Sequence, residues 1–192
     1  MVSSKFPSYI SLIIPVYNGG PAFQACLESL KLFLPPPDQV ATEVIVVADG
    51  CTDDSARLAE EFSSTVLKTA SPGGPARARN LGARQAQGEI LFFIDADVTI
   101  HANTIFRLAL LSTENKTLAA AIGSYCVAPG APNFLSQYKN FFHHYPIKPA
   151  EKTPLPFRSP LVPFVGKFLR TLVALKNDTK NYQLKISNWA IA

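Results

Sequence analysis

The side chains best suited to chemistry in this chain are polar residues that come directly after apolar segments. There are three such groups: Tyr17 with Asn18, Asp49, and Asp95 with Asp97. A carboxylate beside a buried strand is costly unless something satisfies its charge. A divalent cation with a phosphate-bearing ligand would do so, because Mg²⁺ and Mn²⁺ favour carboxylate oxygen. An Asp-x-Asp triplet alone is a weak signal, but its combination with the other two groups is far more specific.

The apolar segments before these residues predict the strands of one buried sheet. They are short and mostly rich in β-branched residues, which is typical of parallel strands covered on both faces. The predicted strands are Ile10–Val16, Val44–Ala48, a weaker Thr65–Lys68, Ile90–Ile94 and a segment from about Ala119 to Val127.

Helices are predicted between these strands, with turn residues and prolines at their ends. They run from about Ala22 to Pro35, from a Thr52 or Asp53 cap to Phe62, from Pro75 to Gln87, and from about Ala102 to Ser112. This alternation favours an α/β fold, a mostly parallel sheet with helices on both faces. Ligands bind such sheets at the carboxyl ends of the strands, where the polar residues lie.

Length and composition exclude a wholly disordered or low-complexity protein. A chain of 192 residues with 47% hydrophobic residues is globular and matches one domain, or one domain with a tail. Its three cysteines, Cys26, Cys51 and Cys126, form no CxxC pair, which favours a reducing, cytoplasmic location. We expect neither a signal peptide nor a membrane span, since the N-terminus lacks a basic start and no apolar run approaches about 18 residues.

The last quarter of the chain differs from the rest in composition. Residues 1–145 contain ten Lys/Arg and twelve Asp/Glu, a balance of −2, whereas residues 146–192 contain eight Lys/Arg and two acids, a balance of +6. We therefore expect a domain over residues 1–145 and a basic, proline-rich tail over residues 146–192. A truncation or a frameshift near Pro146 would explain this break in composition. Residues 155–175 interleave basic and apolar side chains, so they are a candidate for contact with an anionic membrane surface at the cytoplasmic face. A disordered tail is the alternative.

Four stretches, in this order and spacing, resemble the family 2 glycosyltransferases. They are Ile14–Gly19 (IPVYNG), Val46–Asp53 (VVADGCTD), Ala78–Gly82 (ARNLG) with Gly88, and Phe93–Asp97 (FIDAD). The resemblance covers residues 10 to about 127 and implies a three-layer α/β/α GT-A fold. It also implies inverting transfer of a sugar from a UDP-, GDP- or dTDP-linked donor to a saccharide or lipid-linked acceptor, assisted by Mg²⁺ or Mn²⁺.

The resemblance assigns the first two stretches to the nucleotide base. Pro15, Tyr17 and Asn18 would border the base, with Tyr17 beside the ring, and Asp49 would hydrogen-bond it. The family often has Asp-Asp-Gly-Ser where this chain has Ala-Asp-Gly-Cys at 48–51, and the lost first carboxylate would weaken base contacts.

The other two stretches would bind the diphosphate and the metal. Arg79 and Asn80 would line the diphosphate side, with Arg77 as an alternative to Arg79. Asp95 would lie near the ribose and the metal, and Asp97 would be the direct metal ligand. The metal would neutralise charge on the departing nucleoside diphosphate.

No catalytic base can be assigned. Inverting transfer needs a general base for the acceptor hydroxyl, and the family supplies it from an acidic residue well after the Asp-x-Asp. After Asp97 this chain has only Glu114, Glu151 and Asp178, none in such a context. We therefore expect weak or undetectable transfer by residues 1–192 alone. A non-catalytic or truncated nucleotide-sugar-binding remnant is the alternative function.

Other interpretations have less support. A dinucleotide-binding dehydrogenase would have G-x-G-x-x-G after the first strand, and a nucleic-acid-binding protein would have a recognisable basic motif. The neighbouring His143 and His144 would point in different directions on a helix, and Cys51 has no histidine partner in sequence. Asp53 and Asp54 are most simply acids at a helix N-terminus.

Overall fold

A central β-sheet carries the fold in this computed structural model, which describes residues 9–62, 65–114, 120–123, 134 and 173–176. Within these residues its strands are β1 (Ile10–Val16), β2 (Thr42–Asp49), β3 (Thr65–Thr69), β4 (Ile90–Phe93), β5 (Ala120–Ile122) and β6 (Val173–Lys176). They lie in the order β3-β2-β1-β4-β6-β5. The first four are mutually parallel, and β6 is antiparallel to both β4 and β5.

Helices cover both faces of this sheet. Those in the described ranges are α1 (Gly20–Phe33), α2 (Ser55–Glu61), α3 (Pro75–Gln85) and α4 (Thr104–Glu114). Successive strand side chains point to opposite faces. Leu12 and Ile14 of β1 accordingly share one core cluster with residues of α1, α2 and α4, whereas Ile13 packs with Ala83 of α3. The predicted three-layer α/β fold with a mostly parallel sheet is confirmed.

The first strand is the most deeply buried element of the core. All seven residues of β1 are buried, and Ile10, Leu12, Ile13 and Ile14 are fully so. Full burial of such a side chain contributes about 1.5–3 kcal/mol. This strand lies between β2 and β4, so it fixes the positions of both strands that lead to the predicted acidic residues.

Prolines set the helix boundaries that the sequence predicted. α1 has Pro21 in its first turn and ends at Phe33, just before Pro35. α3 likewise begins at Pro75. α2 begins at Ser55, later than the Thr52 or Asp53 cap, because the loop before it makes contacts of its own that are described below.

The strand β6 was missed by sequence analysis. It pairs Val173 with Phe93 and Lys176 with Ile90, and it separates β4 from β5. Part of the predicted tail, residues 173–176, thus belongs to the central sheet, while the domain boundary at 145/146 stays a prediction. An antiparallel strand between two parallel ones cannot be read from a four-residue apolar segment, because pairing direction depends on the connection.

Several predictions lie wholly or mostly outside the described residues. They include most of the basic tail 146–192, of which residues 173–176 alone are described, and residues 124–127 of the fifth predicted strand. No helix in the described part of the chain has the length and apolar character needed to cross a bilayer.

Candidate functional site

The loops after β1, β2, β3 and β4 meet at one edge of the sheet. These four strands are parallel neighbours, so their carboxyl ends share that edge. The loops carry Tyr17, Asn18, Asp95 and Asp97. The other predicted site residues lie on strands or helices: Pro15 within β1, Asp49 at the end of β2, and Arg79 and Asn80 on α3.

Asp49 is built into the loop that leads to α3. It is 4% exposed, and its Oδ2 accepts hydrogen bonds from the backbone N–H of Gly73 at 2.9 Å and of Gly74 at 2.7 Å. Its Oδ1 accepts one from the Thr69 hydroxyl at 2.9 Å. Both oxygens of this carboxylate are therefore engaged by the protein, and a base contact would use a remaining lone pair.

Gly50 brings the same loop close to the end of β2. Its φ is +70°, and a Cβ at this position would lie 2.5 Å from the nitrogen of Pro72. Glycine is required here both for the left-handed backbone and for the close approach of the loop. The Asp-Gly pair thus places loop 71–74 over the carboxyl end of β2.

Asn18 joins the first two loops of this edge. Its φ is +47°, and its side-chain oxygen accepts hydrogen bonds from the backbone N–H of Thr52 at 2.8 Å and of Asp53 at 3.4 Å. The side-chain oxygen of Asn18 therefore stabilises the conformation of these two loops. Its neighbour Tyr17 is 58% exposed, as a residue that stacks on a ligand ring needs to be, and Pro15 is buried beside Val47.

Asp53 completes this connection between the loops. Its carboxylate accepts hydrogen bonds from the backbone N–H of Ser55 at 3.0 Å and of Gly20 at 3.2 Å, while the N–H of Gly19 donates to the Ser55 hydroxyl at 3.0 Å. Burial alone would raise the pKa of Asp53, but these hydrogen bonds outweigh it and the pKa is lowered. Sequence analysis gave Asp53 as a helix cap or N-terminal acid at the end of the second motif stretch, and the Gly20 contact has no signal in the local sequence.

Arg79 and Asp95 form an ion pair between α3 and the end of β4. The Arg79 guanidinium donates to Oδ1 of Asp95, and the two side chains are only 21% and 14% exposed. Asn80, the next residue of α3, has a buried Oδ1 with no hydrogen-bond partner in the described structure. Arg77 lies elsewhere: its side chain is exposed and covers Gly73, within 2.5 Å of where a Cβ would be.

The turn that carries Asp95 and Asp97 packs against α1. The thiol of Cys26 donates to the Asp95 carbonyl at 4.0 Å, and the N–H of Val98 donates to the same carbonyl at 3.0 Å. Burial, followed by the charges of Asp97 and Asp95, raises the pKa of Cys26 to about 12. Cys26 therefore stays protonated and can donate to the Asp95 carbonyl.

The donor set at this turn fits a hard divalent cation. In the described part of the chain no group of three or more His, Cys, Asp or Glu residues could hold a metal ion. Mg²⁺, however, is usually bound through one or two carboxylates, with substrate phosphates and waters as the other ligands. Asp95, which keeps one oxygen outside its Arg79 contact, and the exposed Asp97 match that pattern.

Cys51 has a structural contact in this edge. Its thiol donates to the Val16 carbonyl at 3.3 Å, and burial is the main cause that raises its pKa. A protonated thiol held by a carbonyl is a poor nucleophile. The expectation that Cys51 is not a nucleophile therefore has a physical basis.

Gly88, which belongs to the motif pattern, lies at the opposite edge. Its N–H donates to the buried Ser11 hydroxyl at 2.8 Å, and a Cβ here would lie 2.6 Å from the Ser11 nitrogen. The contribution of Gly88 is therefore close packing of the α3–β4 loop on β1.

The acids considered as a general base lie away from this site or outside the described residues. Glu114 is the exposed last residue of α4. Because β5 is parallel to β4, α4 returns the chain to the opposite edge of the sheet, and Glu114 lies at that edge. Glu151 and Asp178 fall outside the described residues, as do His143 and His144.

The fold and the polar carboxyl edge define the class of GT-A-type α/β domains. Residues 11–170 match the family model described as glycosyl transferase family 2. The match spans more than half of the chain, so the chain belongs to this family.

Three relatives illustrate the likeness. The uncharacterized glycosyltransferase YibD of Escherichia coli is 33% identical over 110 residues, 55% of this chain and 31% of that protein. The poly(ribitol-phosphate) β-N-acetylglucosaminyltransferase TarS of Staphylococcus aureus is 34% identical over 101 residues, 50% of this chain and 17% of that protein. Its solved structure in complex with UDP-GlcNAc aligns with a TM-score of 0.56 and 27% identity, covering 65% of this chain and 37% of that one.

The third relative is a mannosyltransferase of Pyrobaculum calidifontis in complex with GDP-Man and Mn²⁺. Its TM-score is 0.53 at 26% identity, and the match covers 63% of this chain and 36% of that one. This chain thus spans less than two fifths of each of these three relatives.

Proposed function

We propose that this chain is a nucleotide-sugar-dependent glycosyltransferase domain that transfers a sugar to an acceptor hydroxyl with inversion. The observation that carries the proposal is the Arg79–Asp95 ion pair at the carboxyl end of β4. It places a guanidinium, which suits diphosphate, against a carboxylate, which suits a hard cation, at the edge where α/β sheets bind ligands.

We assign binding of the nucleotide base to the loops after β1 and β2. Tyr17 is exposed beside the interlocked loops and would stack on the ring, while Asn18 and Pro15 hold its backbone in place. Asp49 would accept a hydrogen bond from a base N–H in addition to those from Gly73 and Gly74. Its first role is then to shape the loop against which the base lies. A relative that binds UDP-GlcNAc and one that binds GDP-Man support the donor class and leave the base open.

The diphosphate is assigned to α3 and the cation to the β4 turn. Arg79 would orient a phosphate while it holds Asp95. The Oδ1 of Asn80, which has no hydrogen-bond partner in the described structure, would accept a hydrogen bond from a hydroxyl of the nucleotide-sugar. Asp97 and the second oxygen of Asp95 would hold Mg²⁺ or Mn²⁺, as the Mn²⁺ in one relative's structure supports. When bound, the cation supplies charge neutralisation for the departing nucleoside diphosphate.

The acceptor and its general base are assigned to the chain beyond the described core. We propose a saccharide or lipid-linked acceptor, with the part of the segment 155–175 that precedes β6 contacting the cytoplasmic face of a membrane. The poly(ribitol-phosphate) specificity named for one relative supports an envelope polymer as acceptor class. With Glu114 at the wrong edge of the sheet, Glu151 and Asp178 remain the acids of this chain to test as base.

The test is calorimetric titration of the full chain with UDP, GDP and dTDP, each with Mn²⁺ and with a chelator. We expect one nucleotide to bind and to bind more tightly with Mn²⁺. Equal binding in chelator would contradict the metal role, and no binding of any nucleotide would contradict the donor site. Donor hydrolysis measured alongside separates an enzyme from a binding remnant, since a remnant would bind donor without consuming it.

A further inference from the structure

A buried serine of α1 reaches the far end of the acidic turn. Ser29 is 8% exposed, and its hydroxyl donates to the Cys26 carbonyl at 2.7 Å. The same oxygen accepts a hydrogen bond from the backbone N–H of Ile100 at 3.1 Å. One hydroxyl is thereby used as donor and as acceptor, which leaves it no freedom to rotate.

Such a serine is unexpected at this position. The other buried residues of α1 are apolar or weakly polar: Phe23, Cys26, Leu27 and Leu30. Serine inside a helix competes with the backbone and is neutral to unfavourable there. The role of Ser29 is to accept the hydrogen bond of the Ile100 amide, because a buried N–H without a partner is costly.

The two contacts from α1 lie at the two ends of the segment 95–100, which contains the acidic turn. Cys26 and Ser29 are three residues apart and so lie on one helix face. Cys26 contacts the Asp95 carbonyl, and Ser29 holds the amide of Ile100, five residues further on. Asp97 is exposed and lies between these two contacts in the chain.

The residues at both ends of this segment lie in the core. The N–H of Ile94 donates to the Ile13 carbonyl at 3.0 Å, and Ile94 and Ile100 are 0% and 3% exposed. If the Ser29 oxygen were removed, the Ile100 amide would have to move toward water to find a partner. Because Ile100 follows directly on the turn closed by the Val98 N–H and the Asp95 carbonyl, such a movement would shift the end of the segment that carries Asp97.

We propose that Ser29 is a positioning residue that fixes the Asp95–Ile100 turn and thereby sets metal-dependent nucleotide binding. This inference rests on the proposed function, since it takes Asp95 and Asp97 to be the metal-binding carboxylates. Residues that orient metal ligands through hydrogen bonds typically change metal affinity about 10–100-fold when mutated.

The test compares Ser29→Ala and the near-isosteric Ser29→Cys with the wild-type full chain. Nucleotide Kd is measured with Mn²⁺ and in chelator, and hydrogen exchange is measured at the Ile100 amide. We expect the Kd with Mn²⁺ to rise about tenfold or more, the Kd in chelator to stay within about twofold, and the Ile100 amide to exchange faster. The cysteine variant keeps the volume, so it provides the answer if the alanine variant does not fold.

Ser112→Ala is the matched control. Ser112 makes the same type of bond, from its hydroxyl to the Ala109 carbonyl at 2.9 Å, in α4. It should leave both Kd values and the Ile100 exchange rate unchanged.

The outcomes separate the two proposals. A wild-type chain without Mn²⁺-dependent binding would contradict the proposed function, and with it this role for Ser29. If the wild-type chain shows such binding, two results for the Ser29 variants would overturn the inference alone. One is unchanged Mn²⁺-dependent binding, and the other is a rise of the Kd with Mn²⁺ and the Kd in chelator by the same factor.

Discussion

Arg79 and Asp95 are sixteen residues apart in sequence and form an ion pair that is mostly shielded from water. One partner lies on a helix that covers one face of the sheet, and the other follows a central strand. The contact therefore fixes the position of α3 relative to the acidic turn. A partly buried charge that loses its partner is strongly disfavoured, whereas removal of both charges costs much less.

Arg79→Met should lower the free energy of unfolding by about 1–3 kcal/mol, because it leaves the Asp95 carboxylate without its guanidinium. The double variant Arg79→Met with Asp95→Asn should recover part of this loss. Urea unfolding of the wild type, Arg79→Met, Asp95→Asn and the double variant gives the coupling energy between the two residues directly. Arg84→Met, at an exposed position of the same helix, should change stability by no more than about 0.5 kcal/mol. Additive effects of the two substitutions would contradict a stabilising pair.

Asp97→Asn should remove the metal-dependent part of nucleotide binding and leave binding in chelator unchanged. The amide keeps the size of the side chain but not the charge that attracts a divalent cation. Titration with and without Mn²⁺ measures both parts. Asp38→Asn, an exposed acid in the connection from α1 to β2 at the other edge of the sheet, is the control. Mn²⁺-dependent binding that survives Asp97→Asn would exclude Asp97 as the ligand.

Asp49→Asn should destabilise the protein by about 1–3 kcal/mol, since the new amide nitrogen or the lost charge disrupts hydrogen bonds from two backbone N–H groups. Asp49→Ala should also weaken nucleotide binding in chelator. Urea unfolding and metal-free titration are the two measurements. If Asp49→Ala weakens binding but leaves stability unchanged, the residue acts on the base alone and its hold on loop 71–74 contributes nothing.

The lowered pKa of Asp53 predicts a pH-dependent contribution to stability. A folded-state pKa below the ordinary value of 3.8 means that the stabilisation is present above pH 3.8 and is lost as the pH falls through the folded pKa. Asp53→Asn should therefore be less stable than wild type at pH 7, by less than about 1 kcal/mol because the group is exposed, and the gap should narrow toward pH 3. Urea unfolding at pH 7, 5 and 3 tests this. A gap that is constant with pH would show that the charge of Asp53 has no part in it.

Gly82→Ala should destabilise the protein although alanine is the better helix former. The propensity gain is about 1 kcal/mol. A Cβ at this position of α3 would lie 2.5 Å from Cγ2 of Ile13, so the helix or the fully buried strand must move. Overpacking of this kind costs about 1–3 kcal/mol and outweighs the gain. The midpoint of urea unfolding reports the sign, and a stabilised variant would mean that α3 can shift away from β1.

The sequence by itself determined the arrangement of the sheet's polar edge. Continuous apolar segments predicted β1, β2 and β4, and the residues that end them fall at one edge because parallel strands share their carboxyl ends. Gly50 and Pro75 marked the adjacent turns because their backbone preferences are local properties. The same residues supported the family, which the comparison confirmed.

The tertiary structure alone decided which partner each of these side chains takes. Asp49 is held by Gly73 and Gly74, and Ser29 binds an amide 71 residues away. Hydrogen-bond partners at such separations depend on how helices dock on the sheet, and no periodicity in the sequence encodes that docking. The antiparallel strand β6 was unpredictable for the same reason, since its direction is set by the chain between β5 and β6 and by pairing with β4.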